Sequence, residues 1–135
     1  FNEQYQSLVK KSNLMIRKAR YSLSLQQQKV LCYLITHLSE NDTYETEKIF
    51  DIKAFYDFME VNNKDYDKVR EALKALRDKS WWINNPDGSE STISFLSKIR
   101  TNKRNGKVYI HFDKDMLPYL QELKTQYTSY KIYYI

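Results

Sequence analysis

An α+β fold, with helices packed on a small antiparallel β-sheet and a basic β-hairpin standing out from it, is the architecture this sequence predicts. Three observations carry that expectation. Apolar residues recur at helical spacing in two separate stretches, Val30–Leu38 and Val69–Leu76. Two runs rich in β-branched and aromatic residues, Thr92–Ile99 and Val108–Phe112, flank Asn105-Gly106, a pair that favours a tight hairpin turn. Between Ser91 and Phe112 stand Lys98, Arg100, Lys103, Arg104 and Lys107 with no acid, so these cations equal the whole formal net charge of +5.

The elements follow in order. Gln4–Arg20 gives only a broken helical pattern. Ser24-Leu25-Gln26-Gln27 reads as a capping box, with Ser24 accepting from the backbone and Gln27 reaching back. Behind it Val30, Leu31, Leu34, Ile35 and Leu38 define one buried face, so Leu25–Leu38 is a core helix with Cys32 and Tyr33 beside the stripe. Asn41–Thr43 is a loop and Lys48–Ile52 a short strand. Asp51 is placed to cap a helix over Ile52–Met59, with Phe55, Phe58 and Met59 facing inward. Val61-Asn62-Asn63 is a connector without apolar periodicity.

A longer helix is expected from about Lys64 to Lys79, with Tyr66, Val69, Leu73 and Leu76 inward. Arg70, Lys74 and Arg77 share the same spacing and therefore another face. Trp81–Asn84 is a strand, and Asn85-Pro86-Asp87-Gly88 a turn in which Pro86 presets φ. After the two hairpin strands, Asp113 is placed to cap a helix over about Lys114–Lys124, with Pro118 an irregularity in its first turns. Helix, strand, short helix, connector, longer helix and basic hairpin, in that order, make a winged helix-turn-helix.

Composition sets the outer bounds. A length of 135 residues suits one domain, and 41% hydrophobic with 15% aromatic content supplies a core. The isoelectric point near 9.1 fits nucleic acid, an acidic partner or anionic lipid. No run approaches the roughly 20 apolar residues of a spanning helix, and no signal peptide is visible. The single cysteine, Cys32, excludes an internal disulfide and fits a reducing cytosol. Phe1 is not an initiator Met and Tyr127–Ile135 reads as a strand or linker stopped in mid-course, so the sequence is expected to be a piece of a longer chain, with one domain over 1–126.

Catalytic and cofactor chemistry finds no foothold. With only Gly88 and Gly106, neither a phosphate-binding loop nor a dinucleotide fingerprint is possible. His37, His111 and Cys32 have no recognised zinc spacing. No His-x-His accompanies the twelve tyrosines, which a metal-dependent rolling-circle nickase would need, and no positioned triad is marked. The sequence reads as non-enzymatic, with no cofactor.

Duplex DNA is the partner this arrangement suits. The helix over Lys64–Lys79 can be set against a duplex while the preceding helix crosses the backbone. Lys64, Lys68, Arg70, Lys74 and Arg77 would then meet phosphates, or an Arg would read guanine with paired donors. Lys98, Arg100, Lys103, Arg104 and Lys107 would hold a neighbouring run of phosphates, releasing counterions. The plain alternatives are a solvated helix face paired with Glu71 and Asp78, and a Lys-rich hairpin that blunts a sheet edge. Trp81 and Trp82 would stack on bases or divide between core and interface. Tyr127, Tyr130, Tyr133 and Tyr134 would pack against whatever follows.

The wording of the chain adds a resemblance. Asn13-Leu14-Met15-Ile16-Arg17-Lys18-Ala19-Arg20-Tyr21-Ser22-Leu23, followed by Gln28-Lys29-Val30-Leu31, resembles the opening of plasmid replication initiators of the iteron-binding, theta-replicating type. Tyr66 with Leu73–Leu76, Trp82-Ile83 before Asp87-Gly88, Leu117-Pro118-Tyr119-Leu120 and Tyr127-Thr128-Ser129-Tyr130 continue it in the family's order. The resemblance implies the first of two related winged-helix domains of a bacterial, plasmid-encoded cytoplasmic protein. It further implies binding to repeated origin sites, backbone contacts and a dimer interface from this domain, copy-number control, and host initiator and helicase proteins as partners, with no membrane. By carry-over Arg70, Lys74 and Arg77 occupy the DNA-facing helix, and Arg100, Lys103, Arg104 and Lys107 the wing.

Two other functions compete with that reading. One is a dimerisation module with little DNA affinity, using strand edges and aromatics around Trp81, Trp82, Ser94 and Leu96. The other is a winged-helix transcriptional repressor.

Overall fold

The computed structural model describes residues 22–61 and 65–126. The expectations for 1–21, for Asn62-Asn63-Lys64 and for 127–135 lie outside the described residues. The α+β winged helix-turn-helix predicted from the sequence is the fold observed: four described helices with a small antiparallel sheet.

Helix α1, Leu25–Thr36, opens on the predicted capping box. Ser24 Oγ accepts from Gln27 N at 3.2 Å, and Ser24 N donates to Gln27 Oε1 at 2.9 Å. Val30, Leu31, Leu34 and Ile35 are buried, and Leu38 is buried just beyond the helix end. Strand β1, Lys48–Asp51, leads directly into α2, Ile52–Met59. Asp51 stands at the N-cap, but its side chain makes no cap hydrogen bond and pairs instead with Lys107. At the far end Glu60 takes a left-handed conformation, φ 59°, and Val61 N donates to Tyr56 O at 3.1 Å. That reversal turns the chain toward α3, Tyr66–Asp78, whose N-cap Asp65 accepts from Lys68 N. The helix thus starts two residues later than the spacing suggested, at the first residue after a capping carboxylate.

Strand β2, Ser80–Asn84, pairs with β3, Glu90–Ser94, as a separate two-stranded ribbon, Trp81 opposite Ile93. Strands β4, Leu96–Asn102, and β5, Lys107–Phe112, join β1 in a three-stranded sheet of order β1-β5-β4. The single strand expected over Thr92–Ile99 is therefore two, broken at Phe95. Phe95 is fully buried edge-on to Trp81, 5.0 Å between ring centroids. Its N–H goes to Leu76 O and its C=O accepts from Asp113 N, so its backbone joins no ladder.

The hairpin tip is also longer than a two-residue turn. Lys103–Gly106 forms the loop, with Asn102 Oδ1 accepting from Arg104 N and Asn105 Oδ1 from Lys107 N. Gly106 supplies the left-handed φ of 65°, and its carbonyl accepts from Ile52 N, which ties the tip to α2. Helix α4, Leu117–Gln126, follows a turn in which the Asp113 carboxylate accepts from Asp115 N and Met116 N. Pro118 is its second residue, where no intrahelical N–H is required, so it breaks nothing.

One core serves all of this. Leu34, Ile35, Phe55, Met59, Leu73, Leu76, Ile110, Phe112 and Leu120 from every layer are fully buried or within 2% of it. Tyr66 is only half-buried on the α3 stripe, and Ala72 completes it. Lys124 and Gln121 of α4 bond the carbonyls of Leu38, Ser39 and Asp42, closing α4 over the end of α1.

Candidate nucleic-acid interface

The exposed side of α3 and the edge of β4 face each other across an open groove. Arg70, Glu71, Lys74 and Arg77 line one wall, and Ser97, Lys98, Ile99 and Thr101 the other. Helical spacing puts the three cations in one row, about 100° around the helix from the buried Val69, Leu73 and Leu76. Strand β4 is brought alongside by two bonds. Tyr66 Oη donates to Thr101 Oγ1 at 2.6 Å, and Arg77 Nε donates to Ser97 O at 3.3 Å. Ser97 is the bulged residue of β4, where the register with β5 shifts between Leu96 and Lys98.

Every described cation of α3 has a carboxylate partner. Lys68 lies 3.5 Å from Asp65, Arg70 3.8 Å from Glu71, Lys74 2.7 Å from Asp78 and Arg77 3.3 Å from the other oxygen of Asp78. All four side chains are more than half exposed, so these are solvated pairs of modest strength. The Lys74 ammonium is held above its ordinary value by the hydrogen bond to Asp78, and the Asp78 carboxyl below its own by Lys74. The helix row is exposed, then, and also paired with the neighbouring acids that the sequence placed there.

The wing divides in two. Arg100 stacks on the Tyr109 ring, 3.8 Å to its centroid, and lies 3.7 Å from Glu47; Lys107 pairs with Asp51, which raises its ammonium's affinity for the proton. Lys98, Lys103 and Arg104 have no carboxylate partner among the described residues, although Lys103 Nζ lies 5.3 Å from the centre of the Tyr66 ring. Exposed ammonium and guanidinium groups without a local anion suit phosphate contact. The sequence showed five equivalent wing cations; the missing signal was Glu47 and Asp51, distant in the chain and adjacent across the sheet.

The aromatic and strand-edge residues also separate. Trp81 is half-buried against Phe95, whereas Trp82 is 67% exposed on the other face of β2. Ser94 donates its hydroxyl to Leu96 O, and Leu96 itself is fully buried, which places its side chain in the core and not on an open surface. Lys64 falls outside the described residues.

Other chemistry is not assembled nearby. Among the described residues no three His, Cys, Asp or Glu side chains converge on a metal position, and no helix is long and apolar enough to cross a membrane. Burial pushes the Cys32 thiol up to about 11, so it is a poor nucleophile. His111 binds Glu47 at 3.2 Å and the Tyr44 carbonyl at 3.3 Å on the outer sheet face. His37 packs against the Tyr33 ring in a tilted contact, 4.5 Å between centroids.

Known proteins share this fold. Residues 8–135 match the protein family described as Initiator Replication protein, WH1. Among solved structures, the X-ray crystal structure of the MSBI1.176 WH1 domain, a replication protein isolated from a multiple sclerosis patient, superimposes with a TM-score of 0.65. That likeness covers 88% of this chain and 96% of the other at 20% sequence identity, and it is a likeness of fold. Comparison with curated proteins finds no match.

Proposed function

The chain belongs to the Initiator Replication protein WH1 family, and from that premise we propose that it is the backbone-gripping domain of a plasmid replication initiator. In this reading it works on directly repeated origin sites of the iteron type, in theta replication, beside a second winged-helix domain that reads most of the bases. The observation that carries the reading is the placement of Lys98, Lys103 and Arg104. Among the described residues they have no carboxylate partner; Lys98 lies on β4 across the groove from the exposed α3 row, and Lys103 and Arg104 stand at the wing tip. Such a surface contacts phosphates more readily than base edges, and affinity with little sequence preference follows from that. Host initiator and helicase proteins and control of copy number belong to the same proposal.

Fluorescence anisotropy tests it. The chain is titrated against a duplex carrying the direct repeats of its own origin and against a scrambled duplex, at several salt concentrations. Steeply salt-dependent binding to both is the expected result. Absence of binding at low salt would overturn the reading.

A second role is favoured by one specific feature. The β2–β3 ribbon pairs with no third described strand and exposes Trp82 to 67%, a surface suited to a symmetric partner. Dimerisation through it is proposed as a companion to DNA contact. Sedimentation of Trp82→Ser against the parent chain decides: a dimer that survives the substitution unchanged rules out that surface.

A further inference from the structure

We propose that Asp78 is an electrostatic gate on the α3 face, a carboxylate that duplex phosphates must displace from Lys74 and Arg77 before the helix contributes to binding. The proposal rests on the DNA-contacting reading above and names the residue that sets how strongly this face takes part.

Asp78 is badly placed for the helix itself. It is the last residue of α3, where the partial negative charge of a helix C-terminus disfavours a carboxylate. Its partner Lys74 lies four residues towards the N-terminus, the weaker of the two orientations for such a pair. Two local rules broken at one position point to a purpose other than the stability of the element.

What the position does provide is reach. One carboxylate takes Lys74 Nζ on Oδ2 at 2.7 Å and Arg77 on Oδ1 at 3.3 Å, neutralising half of the cation pair it serves. Arg77 is held twice, because its Nε also donates to Ser97 O, so its guanidinium is turned towards β4. Glu71 does less: it lies 3.8 Å from Arg70, and its charge acts on Lys74 more weakly than that of Asp78, with no hydrogen bond. The Asp78 pairs are solvated and therefore yield to a competing anion. A phosphate run, whose binding is reinforced by counterion release, is such a competitor. An approaching duplex accordingly meets Lys98, Lys103 and Arg104 first, and engages Lys74 and Arg77 only once it is seated deeply enough to replace Asp78.

The experiment is Asp78→Asn, which keeps the shape and removes the charge, titrated with a fluorescein-labelled duplex of random sequence across a salt series. Binding is expected to tighten several-fold, with a log–log salt slope steeper by about 0.9 for each cation released. The gain is expected to vanish when Lys74→Ala and Arg77→Ala are added to Asp78→Asn, as coupling through those pairs requires. Asp78→Ser gives a second variant with the same expected sign, and far-UV circular dichroism confirms that each is folded. Unchanged or weaker binding by both variants, while the parent chain binds, overturns the gate and leaves the DNA reading standing. No binding by parent or variants, even at low salt, overturns both. Binding by the variants alone at the higher salt concentrations, where the parent that bound at low salt has dissociated, supports the gate in its strongest form.

Discussion

Arg77 in the last turn of α3 donates its Nε to the backbone oxygen of Ser97 at 3.3 Å, fastening the exposed helix to the bulge of β4. Tyr66 repeats the attachment in the first turn through Thr101. The helix and the wing strand are thus tied near both ends of the groove between them. On the proposed reading, a cationic surface built this way would meet a rigid duplex at less ordering cost than a loose one.

The wing cations differ in what they have available to give. Replacing Lys98, Lys103 and Arg104 together with Ala is expected to flatten the log–log salt slope by about 0.9 for each phosphate no longer neutralised, equally on repeat and scrambled duplexes. Arg100→Ala and Lys107→Ala should change the slope less, because both side chains already hold carboxylates. Salt-dependent anisotropy measures both sets. An equal effect from the two would show that the pairs with Glu47 and Asp51 do not survive in solution.

Leu34 lies at 0% exposure on the buried face of α1. Its truncation to Ala is expected to cost about 2–5 kcal/mol in urea unfolding, as large-to-small changes in packed interiors do. A loss below about 1 kcal/mol, typical of surface substitutions, would place this face outside the core.

Asp113 provides a pH signature. Desolvation by burial raises its carboxyl pKa despite the backbone donors at Met116 and Asp115. Between the ordinary and the raised value, the folded state binds more proton than the unfolded one, so stability from this group falls as pH rises through that window. The contribution is complete below the unfolded pKa and lost above the folded one. Asp113→Asn keeps an acceptor for the turn and removes the titration. Urea midpoints measured from about pH 3.5 to 7 should show the variant gaining on the parent as pH increases. A gap that narrows with rising pH would reverse the sign of the argument.

Much of the architecture was legible because it is local. The Ser24–Gln27 box, the α1 stripe and the separate apolar and cationic rows of α3 each depend on residues within a few positions of one another, and backbone geometry fixes their consequences. The absence of glycine-rich and triad motifs is likewise readable in one dimension. The Phe95 break was not, since a run of β-branched and aromatic residues looks the same whether it pairs with one neighbour or changes neighbours midway. Only the partners of Phe95 at Leu76 and Asp113, both remote in the chain, stop the ladder there.

The same distinction governs the interface. The sequence by itself determined that the wing is basic and that α3 carries Arg70, Lys74 and Arg77 on one face, because strand and helix periods assign side chains to faces without reference to anything else. Tertiary structure alone decided which of those charges are already engaged. Glu47 reaches Arg100 across the sheet, Asp51 reaches Lys107 from another strand, and Ser97 draws Arg77 towards β4. Charge is a property of a residue, but its availability depends on what the fold brings within a few ångströms of it.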